Sequence, residues 1–174
     1  MTVPWVDEDM EVAACGGRGD SLNCLIAQTT RGHRTLLAGL LAELDLYPGQ
    51  ERALAVLWER GPQPQNVLAK LIGIDMSTMT KTLQRLERSG FVSRTPNPAN
   101  RRISIVSTTP KGDALRPDVE RVLSELHRRM THGLTPAQTD ELFALLGVVR
   151  GNLCREVVLN IGSACDPEHS DNLR

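Results

Sequence analysis

Six basic residues and one acidic residue lie between residues 76 and 102 of this 174-residue chain. The segment has a net charge of +5, which leaves −6 for the rest of a chain whose total is −1. A local cationic patch on an acidic body is the electrostatic footprint of a surface that binds a polyanion such as nucleic acid. A solvated basic face would have the same charge, so the interpretation depends on the elements that carry these residues.

Helical spacing divides residues 76–89 into two faces. Met79, Leu83 and Leu86 share one face through steps of four and three, and we expect them to pack on the body of the protein. The other face combines short hydroxyls with a long cation, which can reach base edges in a major groove, and ends in arginines suited to phosphates. The DNA contacts predicted from this helix are Ser77, Thr78, Thr80, Lys81, Gln84, Arg85 and Arg88. The alternative is an amphipathic surface helix with ordinary solvated cations.

A β-hairpin is predicted directly after this helix. Residues 91–95 and 103–107 alternate in polarity as strands do, and residues 96–100 between them have the prolines and asparagines of a turn. Arg101 and Arg102 are expected at the hairpin tip, where one enters a minor groove and the other pairs with phosphate or braces the hairpin. Arg94, at the base of the first strand, either contacts DNA or acts as a brace.

Helical patterns surround the basic segment. Apolar periodicity predicts helices from Asp20 to before Pro48, over residues 48–60 and 64–72, over residues 110–131 with a bend at Pro117, and from residue 136 onwards. Gly73 and Asp75 separate the third helix from the basic one, as a helix-ending glycine and an N-cap. Two helices across a tight turn, followed by a basic hairpin, predict a mainly α fold containing a winged helix-turn-helix with a two-stranded β-wing.

The sequence also argues against several function classes. No apolar run approaches the length of a membrane span and the N-terminal residues are acidic, so we expect a cytoplasmic, nucleoid-associated protein. The four cysteines are far apart and form no C-x-x-C pair, which argues against a disulfide framework and against a metal site. There is no glycine-rich phosphate loop, H-E-x-x-H motif or nucleophile elbow, so we expect neither an enzyme nor a cofactor.

Short motifs along the chain resemble those of the MarR family of transcription regulators in order and spacing. They are residues 44–50 (LDLYPGQ), Leu68-Ala69, residues 77–81 (STMTK), Leu86-Glu87, residues 90–94 (GFVSR), residues 100–102 (NRR) and Lys111-Gly112. The resemblance extends from about residue 20 to residue 159. No single motif is specific, but the ordered set is. Three positions depart from the family pattern, because Asn100 stands in place of Asp, Tyr47 in place of Thr and Thr108 in place of Leu.

The resemblance implies a homodimer that binds double-stranded DNA at a pseudo-palindromic operator, acts as a repressor and releases the DNA when a small molecule binds. It divides the chain into a flexible arm (residues 1–19), a helical dimerisation region (20–46 and 110–160), a winged helix-turn-helix DNA-binding domain (47–109) and a flexible tail (161–174). The apolar stripes of the first and last helices agree with this division, because each stripe needs a partner to cover it.

Control of DNA binding has several possible forms. An effector pocket is expected between the first, second and fifth helices, with candidate lining groups His33, Arg34, Trp58 and Arg116. In the alternative form, Cys24 near the start of the first helix is a reactive thiol that senses oxidants. A different function class is also possible, in which the protein is a DNA-free winged-helix adaptor that binds another protein through its wing.

Overall fold

The computed structural model describes residues 21–98 and 100–161, without the side chains of Arg101, Arg102 and residues 157–161. The predicted arm and residues 162–174 of the predicted tail lie outside these ranges. In chain order the elements are α1 (Leu22–Ala42), α2 (Gln50–Arg60), β1 (Gln63–Pro64), α3 (Gln65–Ile72), α4 (Met76–Arg88), β2 (Val92–Asn97), β3 (Asn100–Thr108), α5 (Pro110–Ala114), α6 (Arg116–Met130) and α7 (Pro136–Ile161). The order confirms the predicted mainly α winged helix-turn-helix.

A single hydrophobic core joins the helix-turn-helix to the wing. Leu54 of α2, Leu68 of α3, Leu83 of α4 and Val106 of β3 are completely buried in one cluster. Helices α1 and α6 pack against each other, and their buried side chains extend the same cluster. The core therefore fixes the position of α4 relative to the helices on either side of it in the sequence.

Local capping chemistry sets the ends of the DNA-binding helices. Gly73 ends α3 in the left-handed conformation (φ +74°), and its N–H donates to the carbonyls of Ala69 and Lys70. The side chain of Asp75 then accepts the N–H of Thr78 and starts α4, as predicted. Helix α2 begins two residues later than expected, because Gly49 before it has a φ of +99°, which is outside the helical region.

The sheet is antiparallel and has the strand order β1-β3-β2. The wing strands are longer than predicted: Pro96 and Asn97, expected in the turn, belong to β2, where a register shift between them accommodates the irregular pairing. The backbone of residues 101 and 102 lies in β3, next to the turn. Gln63 and Pro64 add a short third strand that the sequence did not predict, because two residues carry no alternating pattern.

The single bent helix predicted over residues 110–131 is two helices in the structure. Thr109 caps α5 by accepting the N–H of Gly112, but this helix ends at Ala114 and α6 begins at Arg116. The break has a local cause, since a proline at residue 117 has no N–H to continue the hydrogen bonds of α5. Helix α7 begins at the predicted capping box, in which Thr135 and Gln138 exchange hydrogen bonds.

Candidate nucleic-acid interface

Helix α4 presents one buried face and one exposed face, as its spacing predicts. Met79, Leu83 and Leu86 are completely buried, which anchors the helix on the core. The side chains of Lys81 and Arg85 are exposed on the opposite side. The predicted DNA-binding residues that are exposed on this helix are Ser77, Thr78, Lys81, Gln84, Arg85 and Arg88. The helix thus offers solvent a row of hydroxyl, amide and cationic groups.

The two hydroxyl groups at the start of α4 both donate hydrogen bonds to Asp75. The Ser77 Oγ donates to Asp75 Oδ1 at 2.6 Å, and the Thr78 Oγ1 donates to Asp75 Oδ2 at 2.7 Å. These hydrogen bonds hold the pKa of the Asp75 carboxyl far below its usual range. A hydroxyl whose proton is committed offers only acceptor lone pairs to a partner. In a major groove such acceptors suit the amino groups of adenine and cytosine.

Thr80 differs from the other predicted contacts because it takes part in a link between helices. Its Oγ1 donates to the carbonyl of Met76 at 2.7 Å and accepts from the Nε2 of Gln65 at 2.8 Å. Gln65 is the first residue of α3, so the contact ties the two helices of the helix-turn-helix together. No sequence pattern identifies Gln65, because a contact across fifteen residues leaves no local signal.

The cations of α4 are available for a negatively charged partner. Within the described residues, none of Lys81, Arg85 and Arg88 forms an ion pair with a carboxylate. The Arg88 Nε donates to the carbonyl of Gln84 at 3.3 Å. The Arg85 guanidinium lies over the ring of Tyr47, with 5.1 Å between the guanidinium carbon and the ring centroid. These groups can exchange water for phosphate oxygens without breaking an internal ion pair.

Arg94 braces the wing against α4. Its Nε donates to the Glu87 Oε2 at 3.0 Å, and its Nη2 donates to the same oxygen. The hydrogen bonds from Arg94 are the main reason that the pKa of the Glu87 carboxyl lies below its usual value. Of the two roles expected for Arg94, the structure therefore favours the brace. The side chains of Arg101 and Arg102 lie outside the described residues.

A close backbone contact fixes the base of the wing. The Thr109 N–H donates to the Phe91 carbonyl at 3.0 Å, and the Thr109 Oγ1 donates to the Gly90 carbonyl at 2.6 Å. Lys111 lies across the Phe91 ring, with its Nζ 4.8 Å from the centroid, and donates to the carbonyl of Ser89. Gly112 is so close to Phe91 that a side chain could not be added without moving backbone. These contacts set the angle between the wing and α4.

The four candidate effector residues occupy different environments. The indole Nε1 of Trp58 is buried, and it has no hydrogen-bond partner in the described part of the chain. His33 is half-buried, and its charge acts on the buried Glu51 at the start of α2. Arg34 is exposed, and Arg116 is exposed and paired with Glu120 at 2.9 Å.

Glu51 is a buried carboxyl that the sequence analysis missed. Its side chain accepts the N–H of Gly49 at 2.6 Å, and burial raises the pKa of the carboxyl. Backbone hydrogen bonds and the charges of Arg52 and His33 offset part of this shift. No sequence signal marks the residue, because a glutamate in a first helical turn is ordinarily exposed.

The cysteines correct one prediction. Cys24 is buried and disulfide-bonded, Cys154 is also disulfide-bonded, and no described cysteine is a free thiol. The role of Cys24 as an oxidant sensor stays a prediction. The sequence argued against any disulfide framework. The prediction was wrong because it relied on separation along the chain, which does not measure distance in the folded protein.

No group of three or more His, Cys, Asp or Glu side chains within the described ranges is placed to hold a metal ion. None of the described helices combines the length and the apolar content of a membrane span.

Comparison with known proteins identifies the fold and the domain. The model of the MarR family matches residues 46–104. A probable transcriptional regulator from Pseudomonas aeruginosa is 28% identical, with a TM-score of 0.70 over 75% of this chain and 97% of its own. A mutant of MarR from E. coli, solved in complex with operator DNA, is 29% identical, with a TM-score of 0.68 over 74% of this chain and 92% of its own.

These matches agree with the resemblance of the sequence motifs, and the Pseudomonas aeruginosa protein is described as a probable transcriptional regulator. The matched residues include α2, α3, α4 and β2, which carry and brace the exposed cationic face. The chain therefore contains a MarR-family domain at residues 46–104, and its fold is the winged-helix fold of MarR-family transcriptional regulators.

Proposed function

We propose that this protein is a sequence-specific DNA-binding transcription regulator that acts as a repressor on nucleoid DNA in the cytoplasm. The observation that carries the proposal is the exposed face of α4, where Lys81, Arg85 and Arg88 have no internal ion pair in the described residues. The similarity to a MarR structure that contains operator DNA supports the same role. Lys81 lies beside the hydroxyl groups of α4 and is assigned to base edges, whereas Arg85 and Arg88 are assigned to phosphates.

The test is the salt dependence of binding to DNA from upstream of the protein's own gene. Lys81→Ala is expected to weaken binding and alter the base preference. Arg101→Ala is expected to weaken binding evenly across sequences and to lower the salt slope by about one. Arg121→Ala is a matched control, because it removes an exposed cation of α6 that pairs with Asp118. If Lys81→Ala and Arg101→Ala both bind like wild type, the interface is misplaced.

Absence of any salt slope would instead favour a protein-binding adaptor with the same fold. A protein that binds DNA through phosphates loses affinity steeply as salt rises, because bound counterions are released. A protein that uses its wing to bind another protein has no reason to show this dependence with duplex DNA. The same titration of the wild-type chain therefore separates the two function classes.

The regulator is proposed to be a homodimer. In α7, Phe143, Leu145, Leu146 and Val148 are each more than half exposed, and Leu22 of α1 is 65% exposed. A helix with apolar residues on several sides is normally buried, which a second copy would achieve by covering α1 and α7. Sedimentation is expected to give twice the 19.1 kDa chain mass, and Leu146→Glu is expected to give monomers that keep their helical circular dichroism. A monomeric wild type contradicts this proposal.

Release of DNA by a small effector is proposed at the junction of α1, α2 and α6. The buried indole N–H of Trp58 supports it, because a buried donor without a partner is costly and a ligand acceptor would satisfy it. The test is displacement of a labelled duplex by a panel of small aromatic acids, with Trp58→Phe expected to lose the response. The proposal fails if no acid displaces the duplex, or if Trp58→Phe responds like wild type.

Oxidant sensing through Cys24 is a second candidate form of control. The disulfide at this buried residue supports it, since breaking the bond would alter the packing at the start of α1. Alkylation of protein first reduced with dithiothreitol is mapped before and after treatment with peroxide. Cys24 is expected to be alkylated before peroxide and protected from alkylation after it. Reduced and oxidised protein are expected to differ in operator affinity, and equal affinities would exclude a regulatory role for the disulfide.

A further inference from the structure

Tyr47 combines a fixed backbone with a ring that faces solvent. Its N–H donates to the Oε1 of the buried Gln50 at 2.7 Å, and its carbonyl accepts the Gln50 N–H at 3.0 Å. The neighbouring Leu46 is in the core, whereas 58% of Tyr47 remains exposed. The backbone of Tyr47 is therefore fixed while its ring lies at the surface, and burial of its apolar area does not explain the position of the ring.

The Tyr47 ring meets only one cation in the described residues, and that cation belongs to the candidate interface. The Arg85 guanidinium carbon lies 5.1 Å from the ring centroid, which is within the range of a cation–π interaction. Arg85 is exposed on α4, one turn beyond Lys81. The two side chains come from segments 38 residues apart in the chain, so the contact depends on the fold.

We propose that Tyr47 is a positioning residue of the DNA interface, whose ring orders the Arg85 guanidinium for contact with a backbone phosphate. The proposal rests on the proposed DNA-binding function. A guanidinium that stacks on an aromatic face keeps its edge N–H groups free for phosphate oxygens. Ordering the long side chain in advance removes part of the entropy that it would lose on binding. Tyr47 thereby adds to affinity without reading a base.

The test measures binding of the full chain to a labelled duplex of arbitrary sequence, about 30 base pairs long, in a salt series. A phosphate contact is independent of sequence, so no operator is needed. Tyr47→Ala is expected to lower affinity about two- to fivefold per bound protomer, the range of an exposed cation–π interaction. Tyr47→Phe keeps the ring and is expected to bind like wild type.

The double variant separates positioning from a general structural effect. When Arg85 is already alanine, adding Tyr47→Ala is expected to cause no further loss, because the ring then has no guanidinium to order. The same loss in both backgrounds would overturn the proposal, as would a Tyr47→Ala variant that binds like wild type. A Tyr47→Phe variant that loses as much as Tyr47→Ala would assign the effect to the hydroxyl and also overturn it. If wild type shows no salt-dependent binding to duplex DNA, the proposed function itself fails.

Discussion

Replacement of Gly112 by alanine tests the contact between the wing and the helices that follow it. An added Cβ would lie 2.0 Å from the Phe91 carbonyl oxygen, whereas real Cβ contacts are essentially never shorter than 3.0 Å. The two backbones would therefore have to separate by roughly 1 Å. The Phe91 carbonyl also accepts the Thr109 N–H at 3.0 Å, so the shift would strain that hydrogen bond as well.

The expected change in the free energy of unfolding for Gly112→Ala is the sum of opposing contributions. Exchange of glycine for alanine in an unobstructed helix is stabilising by up to about 1 kcal/mol. Forcing extra volume into a packed contact costs about 1–3 kcal/mol, and a strained hydrogen bond adds about 1 kcal/mol. Gly112→Ala should therefore lower the free energy of unfolding by about 1–3 kcal/mol. For a chain of this length that corresponds to a fall in Tm of roughly 2–12 °C.

The assay is thermal and urea unfolding at a fixed protein concentration. Gly39→Ala is the matched control, because it lies inside α1 and an added Cβ there meets nothing within 4 Å. That control is expected to be neutral or stabilising by up to about 1 kcal/mol. If Gly112→Ala is as stable as Gly39→Ala, the close contact between Gly112 and Phe91 is not part of the folded structure. The account of how the wing is fixed would then be refuted.

Three further changes test the capping, burial and bracing described above. Asp75→Ala removes the acceptor for the Thr78 N–H and should lower stability by about 1 kcal/mol. Asp75→Asn can still cap the helix and should lower stability little. Urea unfolding measures both variants. Because burial raises the Glu51 pKa, the folded protein binds this proton more tightly than the unfolded chain, so stability is lost as pH rises above about 4.5 and through the raised pKa. The stability of Glu51→Gln should therefore increase relative to that of wild type as pH rises over this range. A difference in unfolding free energy that does not change with pH, measured by urea unfolding, would contradict the raised pKa. The pair of Glu87 and Arg94 should show a coupling of about 0.5 kcal/mol at pH 7 in a double-mutant cycle. Because the Glu87 pKa is lowered in the folded protein, the coupling should disappear as pH falls well below 4.5, and a coupling that persists there would count against the brace.

Much of the fold could be predicted from the sequence because it depends on local patterns. The period of three and four residues identified the buried face of α4, including Met79 and Leu83. Asp75, Thr109 and Thr135 each cap a helix as predicted, since a cap is a contact between residues three positions apart.

Several of the missed features depend on contacts between residues that are distant in the chain. Strand β1 exists only because Gln63 and Pro64 pair with β3, and the Gln65 contact with Thr80 needs the completed helix-turn-helix. The ring of Tyr47 meets Arg85 only after α2 and α4 have packed. The exposed cations were predictable from sequence, whereas the contacts that orient and brace them were not.

Footprinting on DNA from upstream of the protein's own gene tests the central claim, that the exposed face of α4 binds DNA in a sequence-specific way. Wild type is expected to protect a site with two halves related by approximate twofold symmetry. Protection should be lost or moved by Lys81→Ala and kept by the control Arg121→Ala. Protection that is the same for wild type and Lys81→Ala, or uniform binding without any defined site, would contradict the claim.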